Sequence, residues 1–169
     1  MSITLQRIVA PTDEEIAALH ELCLGTPGYW RLCEGKPPGR DQIAGWFAGA
    51  DLPEGLSLAD EYFFTLWAEN RRVGLCQILR GWPYRSRAMI GLMLIVEEWQ
   101  GLGLGRLAYR ELERLIIDWP GIQTVWIGVA ANNLPALSFW QSLGFRATGE
   151  RRRDPKFLAE TLLFEKAFD

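Results

Sequence analysis

Histidine is almost missing from this chain: His20 is the only one in 169 residues. A single imidazole excludes multi-histidine metal sites and leaves a Ser-His-Asp triad improbable, and His20 falls on a predicted helix where a structural role is the default. No bound metal is expected. Cysteine is scarce as well. Cys23, Cys33 and Cys76 are odd in number and lack any CxxC spacing, which fits a reducing cytoplasm. No apolar stretch reaches the roughly 20 residues that cross a bilayer. Even Ile90–Val96 is cut off by Glu97 and Glu98, so no membrane association is expected. The N-terminal residues MSITLQRIVAPTDEE lack the basic-then-apolar order of a secretion signal. Charge of one sign is also lacking: 18 Lys and Arg against 21 Asp and Glu leave a net charge of −3. The one basic run, Arg151-Arg152-Arg153, is short enough to be a solvated face, so no nucleic-acid partner is expected.

What is present is a globular composition, with 49% hydrophobic and 23% charged residues. A chain of this length buries about two-thirds of its unfolded surface in one core, and residues 1–169 are read as a single domain. Eight Trp are unusual for the length and serve either a core or a concave pocket.

Periodicity predicts the elements in order. Ile3–Val9 alternates as a strand, and Thr12 and Glu15 have the spacing of a capping box opening a helix that ends near Gly25. From Thr26 to Gly55 the chain is loop-like, apart from a short helix at Asp41–Phe47 capped by Asp41. Glu61–Glu69 and Val73–Gly81 form a hairpin across Asn70-Arg71-Arg72. Ala88–Val96 reads as a central strand buried on both faces. A helix at Leu104–Trp119, a strand at Ile122–Ala130, a helix at Leu134–Ser142 and strands near Phe145–Glu150 and Glu160–Phe168 complete the order β α α β β β α β α β β. The fold class is α/β (α+β).

One segment carries chemistry. The turn Gln100-Gly101-Leu102-Gly103-Leu104-Gly105 lies between a buried strand and an amphipathic helix, so its backbone N–H groups and the helix N-terminus can cradle an anion. A Rossmann fingerprint counted from Gly101 needs Gly where Arg106 stands, and a Walker loop needs a Gly-Lys-Ser/Thr ending that is missing.

At Gln100, Gly103 and Gly105 the turn resembles Gln/Arg-x-x-Gly-x-Gly/Ala, the pyrophosphate-binding motif of GNAT acyltransferases. Downstream, Asn133, Ala136, Trp140, Gly144 and Phe145 are similar to that family's Asn-x-x-Ala-x-x-x-aromatic-x-x-x-Gly-Phe segment. The resemblance spans about Ala88 to Phe145. It implies a mixed, mostly antiparallel sheet flanked by helices, and transfer of acetyl from acetyl-CoA to a primary amine of a small molecule or peptide in a ternary complex. It also implies that Gln100, Gly101, Leu102, Gly103, Leu104, Gly105 and Arg106 hold the pyrophosphate. By the same likeness Leu94, Ile95 and Val96 line the pantetheine arm and supply an oxyanion donor, with Asn133 and Trp140 beside the cofactor.

Trp140 departs from the frequent Tyr of the family, whose hydroxyl can protonate the leaving thiolate; a water, or the hydroxyl of Ser138 or Tyr84, is an alternative source of that proton. Neither central strand carries an acid, which leaves Glu97 and Glu98 as the candidate bases, with Asp60, Glu61 and Tyr84 behind them. Tyr29, Trp30 and Tyr84 are candidates for the acceptor pocket, in loops on which acceptor choice depends. A homodimer is compatible with the sequence. The alternative function is a CoA-binding regulatory or interaction domain without catalysis, suggested by Trp140 and the missing strand acid.

Overall fold

The computed structural model describes all residues, 1–169. After the short strand β1 (Thr4–Ile8), the capping box forms as its spacing predicts: Glu15 N–H donates to Thr12 Oγ1 at 3.2 Å, and Thr12 N–H donates to the Glu15 carboxylate at 2.8 Å. That box opens helix α1 (Asp13–Leu24), which Gly25 ends. Two further helices follow, α2 (Pro27–Cys33) and α3 (Arg40–Phe47). Helix α2 is absent from the predicted order, which therefore gains one helix. Asp41 lies in the first turn of α3 and Gly39 takes the capping position.

Strands β2 (Glu61–Ala68), β3 (Arg71–Arg80) and β4 (Arg87–Ile95) form an antiparallel meander. Its first turn is tighter than expected, because Glu69 and Asn70 both adopt positive φ and release Arg71 and Arg72 into β3. Helix α4 (Leu104–Ile117), strand β5 (Thr124–Ala130), helix α5 (Leu134–Ser142) and strands β6 (Arg146–Arg152) and β7 (Thr161–Ala167) complete the chain.

The seven strands run in the order β1-β2-β3-β4-β5-β7-β6, with only the β4–β5 pair parallel. Leu104, Ala108, Leu112 and Ile116 of α4 cover one face over Ile78, Ile90 and Ile127. Leu19, Cys23, Trp30, Ile43 and Trp46 of α1–α3 cover part of the other, over Phe63, Leu75 and Leu94. The two layers leave an uncovered place at the middle of the sheet.

That opening arises at β4. Gln77 faces Leu92 while Ile78 faces Ile90, so Gly91 is an extra residue in the ladder. The bulge resets the alternation: Ile90 packs on the α4 side, whereas Leu92 and Leu94 pack on the α1 side. Strand β4 is central as predicted but is not buried on both faces throughout, since Gly91 is exposed and Leu92 and Met93 are half-buried.

Candidate active site

The parallel ladder between β4 and β5 lasts from Arg87↔Thr124 to Ile90↔Ile127 and then stops. Beyond it β4 stays with β3 and β5 stays with β7, so the two halves of the sheet diverge. The gap is a cleft of about 600 Å³ lined by Gly91–Ile95 of β4, Ile127–Ala130 of β5, and the facing ends of α2, α4 and α5.

Backbone direction in β4 follows from its bonds to β3. Val96 N–H donates to Val73 O at 2.9 Å, so alternation turns Leu94 toward β3 as well and leaves the N–H and C=O of Met93 and Ile95 facing the cleft. The side chain of Gln100 agrees with this assignment, because its Nε2 donates to Ile95 O at 2.7 Å from the cleft side. A free strand edge is therefore held rigid by its other neighbour. Leu94 and Val96 are buried in the core beneath α1, and of these two only Leu94 also lines the cleft.

The turn after β4 meets its steric demands with glycine. Gly101 and Gly103 have φ of 77° and 79°, the left-handed region, and Gly103 is the N-cap of α4. No backbone carbonyl accepts from the N–H groups of Gly101 through Arg106. They stand at the positive end of a 14-residue helix, where an anion is stabilised. Gly105 serves packing: a Cβ there would lie 3.3 Å from the Phe139 ring, so its absence lets α5 approach α4 closely. Arg106 lines the cleft and donates from Nη2 to Ser142 Oγ at 2.9 Å, which ties its guanidinium to the end of α5. Unpaired donors at a helix N-terminus beside an unpaired strand edge suit a molecule with a diphosphate and an extended polyamide arm, which is the construction of acetyl-CoA.

Asn133 caps α5, its Oδ1 accepting from Ala136 N–H at 3.3 Å, and it lines the cleft too. Trp140 is 8% exposed and packs edge-on against Tyr109, Phe139 and Phe145, so its indole is a wall of the cleft built into the core.

Other predicted residues are not brought together here. Tyr84 is 60% exposed, with the Arg87 guanidinium 4.4 Å from its ring centroid, and it precedes β4 at the end away from the split. Ser138 is exposed and does not line the cleft, because Pro135, Ala136, Phe139 and Trp140 occupy the inward face of α5. Leu102 projects outward from the turn, 53% exposed. Trp30 is 2% exposed and stacks on Trp46; it belongs to the core, while its neighbour Tyr29 lines the cleft. Burial raises the Tyr29 hydroxyl well above its usual range, with Cys33 beside it adding to the effect. Glu97 reaches the cleft but is engaged: its carboxylate accepts from Gly28 N–H at 2.8 Å and so satisfies a donor in the first turn of α2. No three His, Cys, Asp or Glu residues are grouped to hold a metal ion.

Gly91, Gly128 and Phe139 line the cleft without having been singled out from the sequence. An isolated glycine inside each of two strand patterns was the available signal for the first two.

A sheet split along a parallel pair, with an anion-binding helix start at its mouth, defines an acyl-CoA-dependent acyltransferase architecture. The chain belongs to the acetyltransferase (GNAT) family, whose model matches residues 14–145. No curated protein sequence matches it. Among solved structures it is similar to an acetyltransferase from Thermus thermophilus, with 23% identity, a TM-score of 0.77 and coverage of 99% of this chain and 98% of that one. It is also similar to the Salmonella typhimurium acetyl transferase that modifies the N-terminal serine of ribosomal protein L7/L12, at 15% identity, TM-score 0.78 and coverage of 100% and 96%. A third is aminoglycoside acetyltransferase AAC(6')-Ib with paromomycin and acetyl-CoA, at 18% identity, TM-score 0.77 and coverage of 99% and 94%. At these identities the likeness shows the fold.

Proposed function

We propose that the chain transfers acetyl from acetyl-CoA directly to a primary amine bound beside the split between β4 and β5. The observation that carries this reading is the conjunction of the unpaired β4 edge with the unpaired N–H groups from Gly101 to Arg106. Acetyl-CoA supplies the activated acyl group; the residues of the chain hold it, exclude water and orient the amine. The turn and Arg106 take the diphosphate, and the N–H groups of Met93 and Ile95 with the C=O of Met93 pair with the amides of the arm, Ile95 C=O being held by Gln100. One of those N–H groups is also available to a carbonyl oxygen on which negative charge grows as the amine attacks. A donor fixed by β3 needs no rearrangement at that moment.

Direct attack is favoured over a cysteinyl intermediate by the state of the thiols. Burial pushes Cys23 up to about 12, with Glu34 adding to it, and burial also raises Cys33 and Cys76. Neutral, buried thiols are poor nucleophiles. The same three free cysteines agree with a reducing, cytoplasmic setting. Because Trp140 is a core wall with no acidic proton, the departing thiolate takes its proton from water or from the amine. Neighbouring structures act on an aminoglycoside and on an N-terminal serine, which makes amines of both kinds reasonable acceptors.

The first test is a thermal melt with acetyl-CoA, CoA and a dinucleotide control, beside Gly103→Glu. Ligand at about a hundred times its Kd adds about 2.7 kcal/mol, which for this size raises Tm by roughly 5 to 10 °C. Both CoA forms should raise the wild type and not the variant. A well-folded wild type that shifts with neither refutes the cofactor assignment. Acceptors are then screened with ribostamycin, a serine-initiated peptide and spermidine. Acetyl-CoA binding without transfer to any of them would favour the non-catalytic alternative.

A further inference from the structure

On the sheet face opposite α4, the bulge residue Gly91 and the β5 residue Gly128 are both exposed and line the cleft beside the point of divergence. A Cβ on Gly91 would collide with Oε1 of Gln77, which means that the Gln77 amide oxygen occupies the place where residue 91 would project a side chain. The amide orientation is set from behind. Gln77 Nε2 donates to Glu61 Oε1 at 2.6 Å, and Glu61, on the first residue of β2, is only 8% exposed. A carboxylate accepts hydrogen bonds, so it holds the NH₂ end and turns Oε1 toward Gly91. Gln77 is half-buried, and the one hydrogen bond of its side chain is the Nε2 donation to Glu61, which leaves Oε1 without a protein donor. A free acceptor, locked in direction by a buried carboxylate, is thus fixed where the two strands part.

We infer that Gln77 and Glu61 form the amine-orienting end of the site, with Gln77 Oε1 accepting an N–H of the incoming primary amine and Glu61 acting through Gln77 as a positioning residue. The inference rests on the acetyltransferase reading above. In the step it serves, the amine lone pair forms the new N–C bond, the C–S bond breaks, and the electron pair leaves on sulfur. One proton from nitrogen ends on the thiolate, directly or through water, to give free CoA. As positive charge grows on nitrogen, its N–H bond to an amide oxygen strengthens, so the contact contributes more in the transition state than in the ground state.

Four variants test this with acetyl-CoA and whichever acceptor of the earlier trio reacts fastest. Gln77→Leu and Glu61→Leu should lower kcat/KM for the amine by about 10- to 100-fold, with acetyl-CoA affinity by calorimetry within about twofold of wild type. Glu61→Gln keeps an oxygen for Nε2 and should restore most of the rate. Gly91→Ala, whose Cβ evicts Oε1 without removing either partner, should match Gln77→Leu if the position of the oxygen is what matters. An unchanged amine kcat/KM in Gln77→Leu overturns the inference alone. A Glu61→Gln variant as slow as Glu61→Leu overturns the positioning role and makes Glu61 a proton acceptor. Failure of the wild type to bind acetyl-CoA is a different result, and overturns the underlying reading.

Discussion

Glycines at 91, 103 and 105 answer different constraints. Gly103 faces empty space, but its φ of 79° belongs to a region where a side chain costs about 1 to 2 kcal/mol. Gly103→Ala should therefore lower the urea-unfolding free energy by about that amount, with an unchanged m-value. Gly105 is helical, and its constraint is the neighbouring Phe139 ring rather than its own backbone. The Glu61 carboxyl belongs to the same scale. Burial raises its pKa, Gln77 partly offsets this, and Asp51 raises it further. A folded state with a raised carboxyl binds its proton more readily than the unfolded chain. Its contribution to stability is full below the ordinary carboxylate range and is lost as pH rises through the raised value. Urea melts of wild type and Glu61→Gln, taken from the ordinary carboxylate range upward in pH, should show the variant gaining relative stability as pH rises. A gap that stays constant across that range would contradict the shift.

At the scale of elements, most of the chain was legible because its signals are local. The box at Thr12 and Glu15, the apolar stripe of α4 and the glycine turn each depend on residues within a few positions of one another. Helix α2 was not legible. Pro27 at its first position is a local cue, but the acceptor for Gly28 N–H is Glu97, 69 residues away, so the sequence window contained no partner for that helix end. The same long-range placement engages Glu97, a candidate base, as a capping group. The free edge of β4 was equally hidden, since nothing local in Leu92–Ile95 says where β5 will part from it. Hydrogen exchange reads this edge directly. Without ligand, the Met93 and Ile95 amides should exchange much faster than that of Leu94, which is bonded to β3. Acetyl-CoA should protect the two selectively. Equal protection of all three in the free protein would contradict the assignment of the edge.

Across the whole molecule, two half-sheets are joined through the short ladder from Arg87↔Thr124 to Ile90↔Ile127, and a ligand in the split touches both. Binding should thus suppress opening of the core as a unit. Cys23, Cys33 and Cys76 are buried reporters of that opening, and each is expected to react with an aromatic disulfide reagent only as the fold opens. Saturating acetyl-CoA should slow their labelling by the factor its binding free energy implies, about a hundredfold at a hundred times Kd. Fast labelling of Cys33 alone, unaffected by ligand, would instead point to local opening of α2. No helix is long and apolar enough to cross a membrane.

The sequence by itself determined the strands, the principal helices, the glycine turn and the family, because hydrophobic period, capping chemistry and glycine spacing act over short stretches of chain. Only the tertiary structure decided which residues share the cleft. It turned Met93 and Ile95 toward the split, put Trp30 in the core and Tyr29 on the wall, left Tyr84 and Ser138 outside, and set Gln77 over Gly91. The physical reason is register. A one-residue bulge changes which face every later side chain of a strand takes, and a buried carboxylate or an unpaired strand edge exists only once distant segments have packed.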